Sequence, residues 1–314
     1  MNGIVLKSTG KWYTVLLSNG DIIKCRIRGK IRLQGLRTTN PVAVGDVVSL
    51  IKDDAIDEDF VIQDILPRKN YIVRKSTNLS KQMQILAANI DRAYLLVTVK
   101  SPITQLAFID RFLVAAESFR IPTTLLFNKI DIYNTAEINE IDELIAMYAK
   151  IGYPSLKISA AKGINIEQLK LEIKDQQVMI SGHSGVGKST LCNSLDADLK
   201  LDTGNLSIAH DQGQHTTTFA EMHQLKSGGY IIDTPGIRAF GIVDLERENI
   251  PHYFPEMREL LGSCKFHNCL HLNEPKCSVK AAVEQGIIAA SRYNTYLQLM
   301  TEDPNEIYRR SIYE

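Results

Sequence analysis

The stretch that most constrains this chain is Gly182-His183-Ser184-Gly185-Val186-Gly187-Lys188-Ser189, which fits G-x-x-x-x-G-K-[ST]. Such a loop works only between a strand and a helix, because its backbone N–H groups must turn inward and a helix N-terminus must follow. The flanks meet that need. Gln177-Val178-Met179-Ile180-Ser181 reads as a short buried strand, and residues 189–195 read as a helix. Gly182, His183, Ser184, Gly185, Val186, Gly187, Lys188, Ser189 and Thr190 are therefore candidate phosphate contacts. Lys188 would reach the β- and γ-phosphates, and the Ser189 hydroxyl would hold Mg²⁺. The loop usually opens its domain, yet here it lies past the midpoint of 314 residues.

What precedes the loop explains its position. Ala93-Tyr94-Leu95-Leu96-Val97-Thr98-Val99 is a continuous apolar run, as expected of a strand buried on both faces. Apolar residues at helical spacing (Leu106, Ile109, Phe112, Leu113, Ala116) and a second strand, Thr123-Thr124-Leu125-Leu126-Phe127, follow. A further helix, strand and helix lead to the loop, so the pattern is a doubly wound, mostly parallel sheet. The second strand ends in Asn128-Lys129-Ile130-Asp131, an N-K-x-D motif. The Asp131 carboxylate can accept two hydrogen bonds from guanine, whereas adenine would leave it buried and unpaired. Asn128 suits the N7/O6 side, and the Lys129 stem can lie over the base. Ser159-Ala160-Ala161, again after a strand, matches a second base-contacting loop. Past the phosphate loop, Asp233-Thr234-Pro235-Gly236 follows an apolar strand as D-x-x-G. There Asp233 would hold Mg²⁺ through water, and the Gly236 N–H would sense the γ-phosphate.

Between them lies Gly213-Gln214-His215-Thr216-Thr217-Thr218. Thr217 is the expected second Mg²⁺ ligand, with Thr216 beside it. Ile237 stands where many GTPases carry a water-orienting glutamine, so slow unassisted turnover is expected, and His215 is the nearest candidate to position water. The motif order is base motif, second base loop, phosphate loop, threonine loop, D-x-x-G. The same sheet forms if the usual ends are joined and the chain is cut after D-x-x-G, which makes this a circularly permuted GTPase domain over residues 91–243.

Residues 1–66 read as all-β, with five short apolar runs and the hairpin signal Ser18-Asn19-Gly20-Asp21. A small oligonucleotide-binding barrel fits best. Lys24, Arg26, Arg28, Lys30, Arg32 and Arg37 face a single acid, Asp21, between positions 21 and 37. Lys24, Arg26 and Arg28 alternate and share a strand face. Two readings stand: a solvated face, or contact with an RNA backbone. Net charge is zero, so any nucleic-acid surface must be local. Residues 67–90 read as a basic, polar connector.

Three of the five cysteines fall between 264 and 277, too few for a disulfide scaffold but well placed for metal. Cys264, Cys269, His271 and Cys277 make a Cys₃His set suited to one structural Zn²⁺, with His267 the rival ligand. Helices are expected over residues 246–261 and 279–299, giving a small α-helical zinc-binding domain over 244–314. Cys25 and Cys192 lie in apolar runs as core thiols. No apolar run of transmembrane length or signal region occurs, so a cytoplasmic protein off the membrane is expected; separately, a monomer is expected.

The barrel, the permuted motif series, G-x-H-T-T-T, D-T-P-G-I-R and C-x4-C-x-H-x5-C together resemble the small-ribosomal-subunit-dependent GTPase A (RsgA) family, over essentially the whole chain. The resemblance implies the fold just derived, GTP and GDP as ligands, and the 30S subunit with its 16S rRNA as partner. It implies a late role in 30S maturation with hydrolysis stimulated by the subunit. It favours His271 over His267 and gives His215 a part in hydrolysis. The family often has a basic residue where this chain has Gln214. A P-loop ATPase or kinase is the rival enzyme. A nucleotide-gated ribosome-binding scaffold or translation factor with negligible hydrolysis is the rival from another class.

Overall fold

The computed structural model describes residues 1–28, 40–52, 60–75, 83–199, 220–233 and 245–302. The chain divides into two compact units. One comprises Met1–Tyr94, Ser159–Ser181 and Gly187–Ile237; the other comprises Leu95–Ile158, Gly182–Val186 and Arg238–Glu314.

In the first unit, β1 (Asn2–Ser8), β2 (Tyr13–Leu17), β3 (Ile22–Ile27), β4 (Val47–Lys52) and β5 (Phe60–Ile65) match the five apolar runs. β1 pairs antiparallel with both β2 and β4, β2 with β3, and β5 with β4, while β3 runs parallel to β5. The ladder thus closes as 1-2-3-5-4-1, the topology of an oligonucleotide-binding barrel. Val5, Tyr13, Val15, Leu17, Cys25, Val42, Val48, Leu50 and Ile62 fill it. Burial pushes the Cys25 thiol up to about 12, so it is inert packing.

The stretch expected to be a polar connector contains a hairpin. β6 (Tyr71–Lys75) pairs antiparallel with β7 (Met83–Ala88). The Val44–Ala87 bridge, Ala88 N–H to Val44 O at 2.8 Å and Asn89 Nδ2 to Gly45 O at 3.0 Å fasten it to the barrel. Gly45 sits at φ +86°, and a Cβ there would lie 2.2 Å from Ala88 O, so only glycine fits. Asp46 is fully buried beneath this junction. It accepts Arg68 Nε and Nη2, each at 2.6 Å, and the Ala43 N–H at 2.7 Å.

β8 (Arg92–Val97) begins in this unit and ends in the other. The first unit also holds β11 (Gln177–Ser181), β12 (Glu221–Gln224), β13 (Tyr230–Asp233), α3 (Ile166–Ile173) and α4 (Lys188–Leu195). β11 and β13 are parallel, with Met179 opposite Ile232, so both end at one sheet edge. β12 turns back antiparallel to β13 and meets β1 at Lys7 and Glu221, whose side chains pair at 2.8 Å.

The second unit holds the end of β8, β9 (Thr123–Phe127), β10 (Ser155–Lys157), α1 (Leu106–Ser118) and α2 (Thr135–Lys150). β9 is buried throughout, as its unbroken apolar sequence requires. An Asn134–Glu137 capping box starts α2. Its C-terminal part carries α5 (Pro255–Arg258), α6 (Ser278–Glu284) and α7 (Ala290–Thr301). The two long helices expected here are broken. Pro251 and Pro255 confine residues 247–253 to a 3₁₀ turn and restart the chain as α5, since neither proline can donate into a helix. Gly286, at φ +72°, ends α6. Among the described residues no helix is long and apolar enough to cross a membrane.

Candidate nucleotide site and metal cluster

The phosphate loop leaves β11 and enters α4, as its flanks require. Gly182 has φ +148°, and a Cβ there would meet Leu96 O at 3.0 Å and the Val186 side chain at 2.9 Å. Gly187, at φ +100°, is the left-handed N-cap of α4. Ser189 is buried in the first turn of that helix. Lys188 and Thr190 are half-buried.

Within the second unit the base motif grips the phosphate loop directly. The buried Asn128 Nδ2 donates to Val186 O at 2.8 Å. Lys129, itself left-handed at φ +69°, donates from Nζ to Gly185 O at 2.8 Å and to Ser101 O at 2.5 Å. Partial burial lowers the Lys129 ammonium from its ordinary value, and Asp131 works against that shift. Asp131 is exposed in the short 3₁₀ turn Ile130–Ile132. The Ile130 N–H donates to Ile158 O at 3.3 Å, anchoring this turn beside the strand end. In the first unit, Ser159 is fully buried and its hydroxyl accepts the Lys162 N–H at 3.1 Å, while Ala160 is buried next to it. Asp233 ends β13. Gln214, His215, Thr216, Thr217, Gly236 and Ile237 lie outside the described residues, as do Lys30, Arg32 and Arg37.

On the barrel, Lys24 and Arg26 both lie 4.9 Å from the centre of the Trp12 ring. They share a face because they are two apart on β3, and the indole supports both cations.

In the C-terminal part the donor atoms of Cys264, Cys269, His271 and Cys277 all lie within 4.8 Å of one another. His271 Nδ1 is 3.6 Å from Cys264 Sγ and 3.4 Å from Cys277 Sγ, and the two sulfurs are 3.9 Å apart. A tetrahedron with metal–sulfur bonds of about 2.3 Å and metal–nitrogen of about 2.1 Å has edges of about 3.8 Å and about 3.6 Å. The residues therefore fit a tetrahedral metal ion. His271 is buried, with its Nδ1 turned toward the sulfurs, while His267 is exposed and outside the cluster. Tyr293 Oη donates to His271 O at 2.7 Å, and the Glu274 carboxylate takes the N–H groups of Leu270 and Leu272, each at 2.8 Å.

A second device here is not visible in the sequence. Arg292, 1% exposed, donates from Nη1 to Asp110 at 3.0 Å and from Nε to Glu256 at 2.7 Å. Asp110, fully buried on α1, also accepts Thr295 Oγ1 and Tyr148 Oη, each at 2.9 Å. Burial alone would lower the Arg292 value; the Asp110 and Glu256 carboxylates outweigh it and keep the guanidinium charged. Phe254 lies against its face at 4.6 Å. No short motif encodes these partners, which come from α1, α2, α5 and α7.

A Walker-type loop after β11, a guanine-type motif after β9 and a barrel ahead of both define a P-loop GTPase whose motif order is circularly permuted. Matches to known proteins carry this further. Residues 65–243 match the RsgA GTPase model and residues 2–57 the RsgA N-terminal domain. The small ribosomal subunit biogenesis GTPase RsgA of Christiangramia forsetii is 51% identical over 100% of both chains. That of Flavobacterium psychrophilum is 53% identical over 100% of this chain and 96% of its own. The crystal structure of YjeQ from Thermotoga maritima aligns with TM-score 0.75 at 37% identity, covering 95% of this chain and 96% of that one. YloQ, described as a circularly permuted GTPase, aligns with TM-score 0.75 at 29% identity, covering 98% and 95%. The chain belongs to the RsgA GTPase family and is a GTP hydrolase.

Proposed function

We propose that this GTPase binds the small ribosomal subunit and acts in its late maturation, with hydrolysis stimulated by the subunit. The observation that carries the nucleotide half is the grip of Asn128 on Val186 O, which ties base reading to phosphate binding in one unit. The ribosomal half rests on the relatives, which are named for small-subunit biogenesis.

In this reading Asp131 accepts the guanine N–H pair and Asn128, Lys129, Ser159 and Ala160 frame the base. Residues 182–190 wrap the phosphates. Lys188 neutralises charge on the β- and γ-oxygens, Ser189 and Thr217 hold Mg²⁺, and Asp233 holds it through water. Magnesium, when bound, screens the charge that builds between those oxygens. Gly236 senses the γ-phosphate, and His215 orients the attacking water in place of the glutamine that Ile237 displaces. Cys264, Cys269, His271 and Cys277 hold one structural zinc. With four protein ligands the site has no open position, so its task is folding. Lys24, Arg26 and Arg28, with Lys30, Arg32 and Arg37, meet 16S rRNA through its phosphates. The protein works as a cytoplasmic monomer, with domains at 1–66, 91–243 and 244–314 and a connector at 67–90.

The decisive experiment is single-turnover GTP hydrolysis with and without purified 30S subunits. A rate increase of at least about tenfold is expected; an unchanged rate sinks subunit stimulation. In the same assay His215→Ala should lose most of the stimulated rate while keeping GDP affinity. Asp131→Asn should erase the preference for GTP over ATP; retained preference would overturn the guanine assignment.

A further inference from the structure

Three successive carbonyls of the phosphate loop are held by side chains. Val186 O and Gly185 O are held by Asn128 and Lys129, as described. The carbonyl before them, Ser184 O, lies 3.0 Å from His183 Nδ1. A carbonyl only accepts, so Nδ1 carries the proton. In the neutral ring Nε2 is then the acceptor, and it lies 2.7 Å from Thr104 Oγ1. The Thr98 N–H donates to the same Thr104 oxygen at 2.9 Å, and with the ring neutral the Thr104 O–H points to the imidazole, the nearer of its two acceptors, with Thr98 Oγ1 at 3.4 Å. Phe108, in the first turn of α1, packs edge-on against the ring with centroids 5.6 Å apart. Both ring nitrogens of His183 thus have a partner, and the ring is held in one orientation.

A peptide unit is planar and trans, so its C=O and the following N–H point in opposite directions. A carbonyl pinned one way therefore aims the next amide the other way. Pinning Ser184 O, Gly185 O and Val186 O aims the N–H groups of Gly185, Val186 and Gly187 to the opposite side. Positive φ at Gly185 (+79°) and Gly187 (+100°), with Val186 between, gives the alternation that gathers such amides into an anion-binding nest. Asn128 and Lys129 belong to the base motif. His183 does not, and it reaches back to the turn before α1.

We propose that His183 is a positioning residue for phosphate binding. Its Nδ1–H fixes the Ser184 carbonyl and so aims the Gly185 amide, and Thr104 fixes the tautomer of His183. The inference rests on the reading of this loop as the GTP site.

The test uses the full-length protein, titrated with a fluorescent GDP analogue, with guanosine as a competitor that carries no phosphate. His183→Ala should weaken the GDP analogue about tenfold, the scale of one anchoring hydrogen bond, and leave guanosine within about twofold. Thr104→Val should weaken the GDP analogue about threefold, and the double variant should be no worse than His183→Ala alone. His183→Asn, which keeps an N–H donor near the Nδ1 position, should recover most of the loss. If the wild type binds neither ligand, the reading of the loop as the GTP site fails. If the wild type binds both and His183→Ala weakens both equally or neither, the positioning role fails. Additive losses in the double variant overturn the part given to Thr104. Should His183→Ala not fold, selective weakening of the GDP analogue in Thr104→Val decides, and its absence counts against the proposal.

Discussion

The barrel and the C-terminal helical part are both small, yet they stay folded by opposite means. The barrel closes its own backbone ladder from β1 round to β4, with Arg68 buried on Asp46 beside it and with Lys24 and Arg26 on the indole of Trp12. The C-terminal part has helices of four, seven and twelve residues, too short to stand alone. It turns its polar groups inward, as a Cys₃His cluster and as Arg292 between Asp110 and Glu256. Where the backbone closes on itself, charge is left for partners. Where it cannot, charge and thiolate become the fastening.

Four measurements would break or sharpen that contrast, ordered by expected effect on stability. Chelation, or Cys269→Ser, should unfold the C-terminal part, because small metal modules draw their folding free energy from the ion. Hydrogen exchange should report loss of protection in α6 and α7 and none in β1–β5, and metal analysis of the variant should find the site empty. Equal loss in both regions would erase the distinction. Arg292→Met comes next, at about 5 kcal/mol in urea unfolding, since it strands two buried carboxylates. Arg68→Met should cost about 3 kcal/mol, because it strands only Asp46. If the Arg68 change were the costlier, the barrel would depend on buried charge as much as the helical part does. The smallest effect is expected for the paired change Lys24→Ala and Arg26→Ala. Stability should move by less than about 1 kcal/mol, while RNA affinity falls and its salt dependence shallows.

Acid titration adds a signed test for the barrel side. Burial raises the Asp46 carboxyl above its ordinary 3.8, with Arg68 pulling the other way. The folded chain therefore holds this proton to higher pH than the unfolded chain does. The contribution is fully present below about 3.8 and is lost as pH rises through the folded value. Asp46→Asn should remove that slope from the stability–pH curve.

The sequence was most legible where chemistry is local. Gly182–Ser189, Asn128–Asp131 and the spacing of Cys264, Cys269, His271 and Cys277 each compress a geometry into a few adjacent positions. The five barrel strands were readable because alternation and turn residues are short-range signals. Legibility failed where partners are distant. Asp110 and Arg292 are 182 positions apart, and each alone resembles an ordinary surface charge. The β6–β7 hairpin was hidden because its basic, polar setting suggested a linker, although Tyr71-Ile72-Val73 carries a strand signal. The interrupted helices were different. Pro251, Pro255 and Gly286 were in plain view and outweigh the apolar spacing around them.

The glycine at position 45 bears on ancestry and engineering. Barrels of this shape are often treated as beads that can be restrung onto other enzymes. Here the bead is fused at a point where a single methyl group would collide with the Ala88 carbonyl at 2.2 Å. A transplanted barrel would have to bring its own glycine to that turn, in the left-handed conformation, together with an acid placed to receive Arg68. Barrel and hairpin are thus one block, and the surface loops of the barrel are freer to be exchanged than the turn at Gly45.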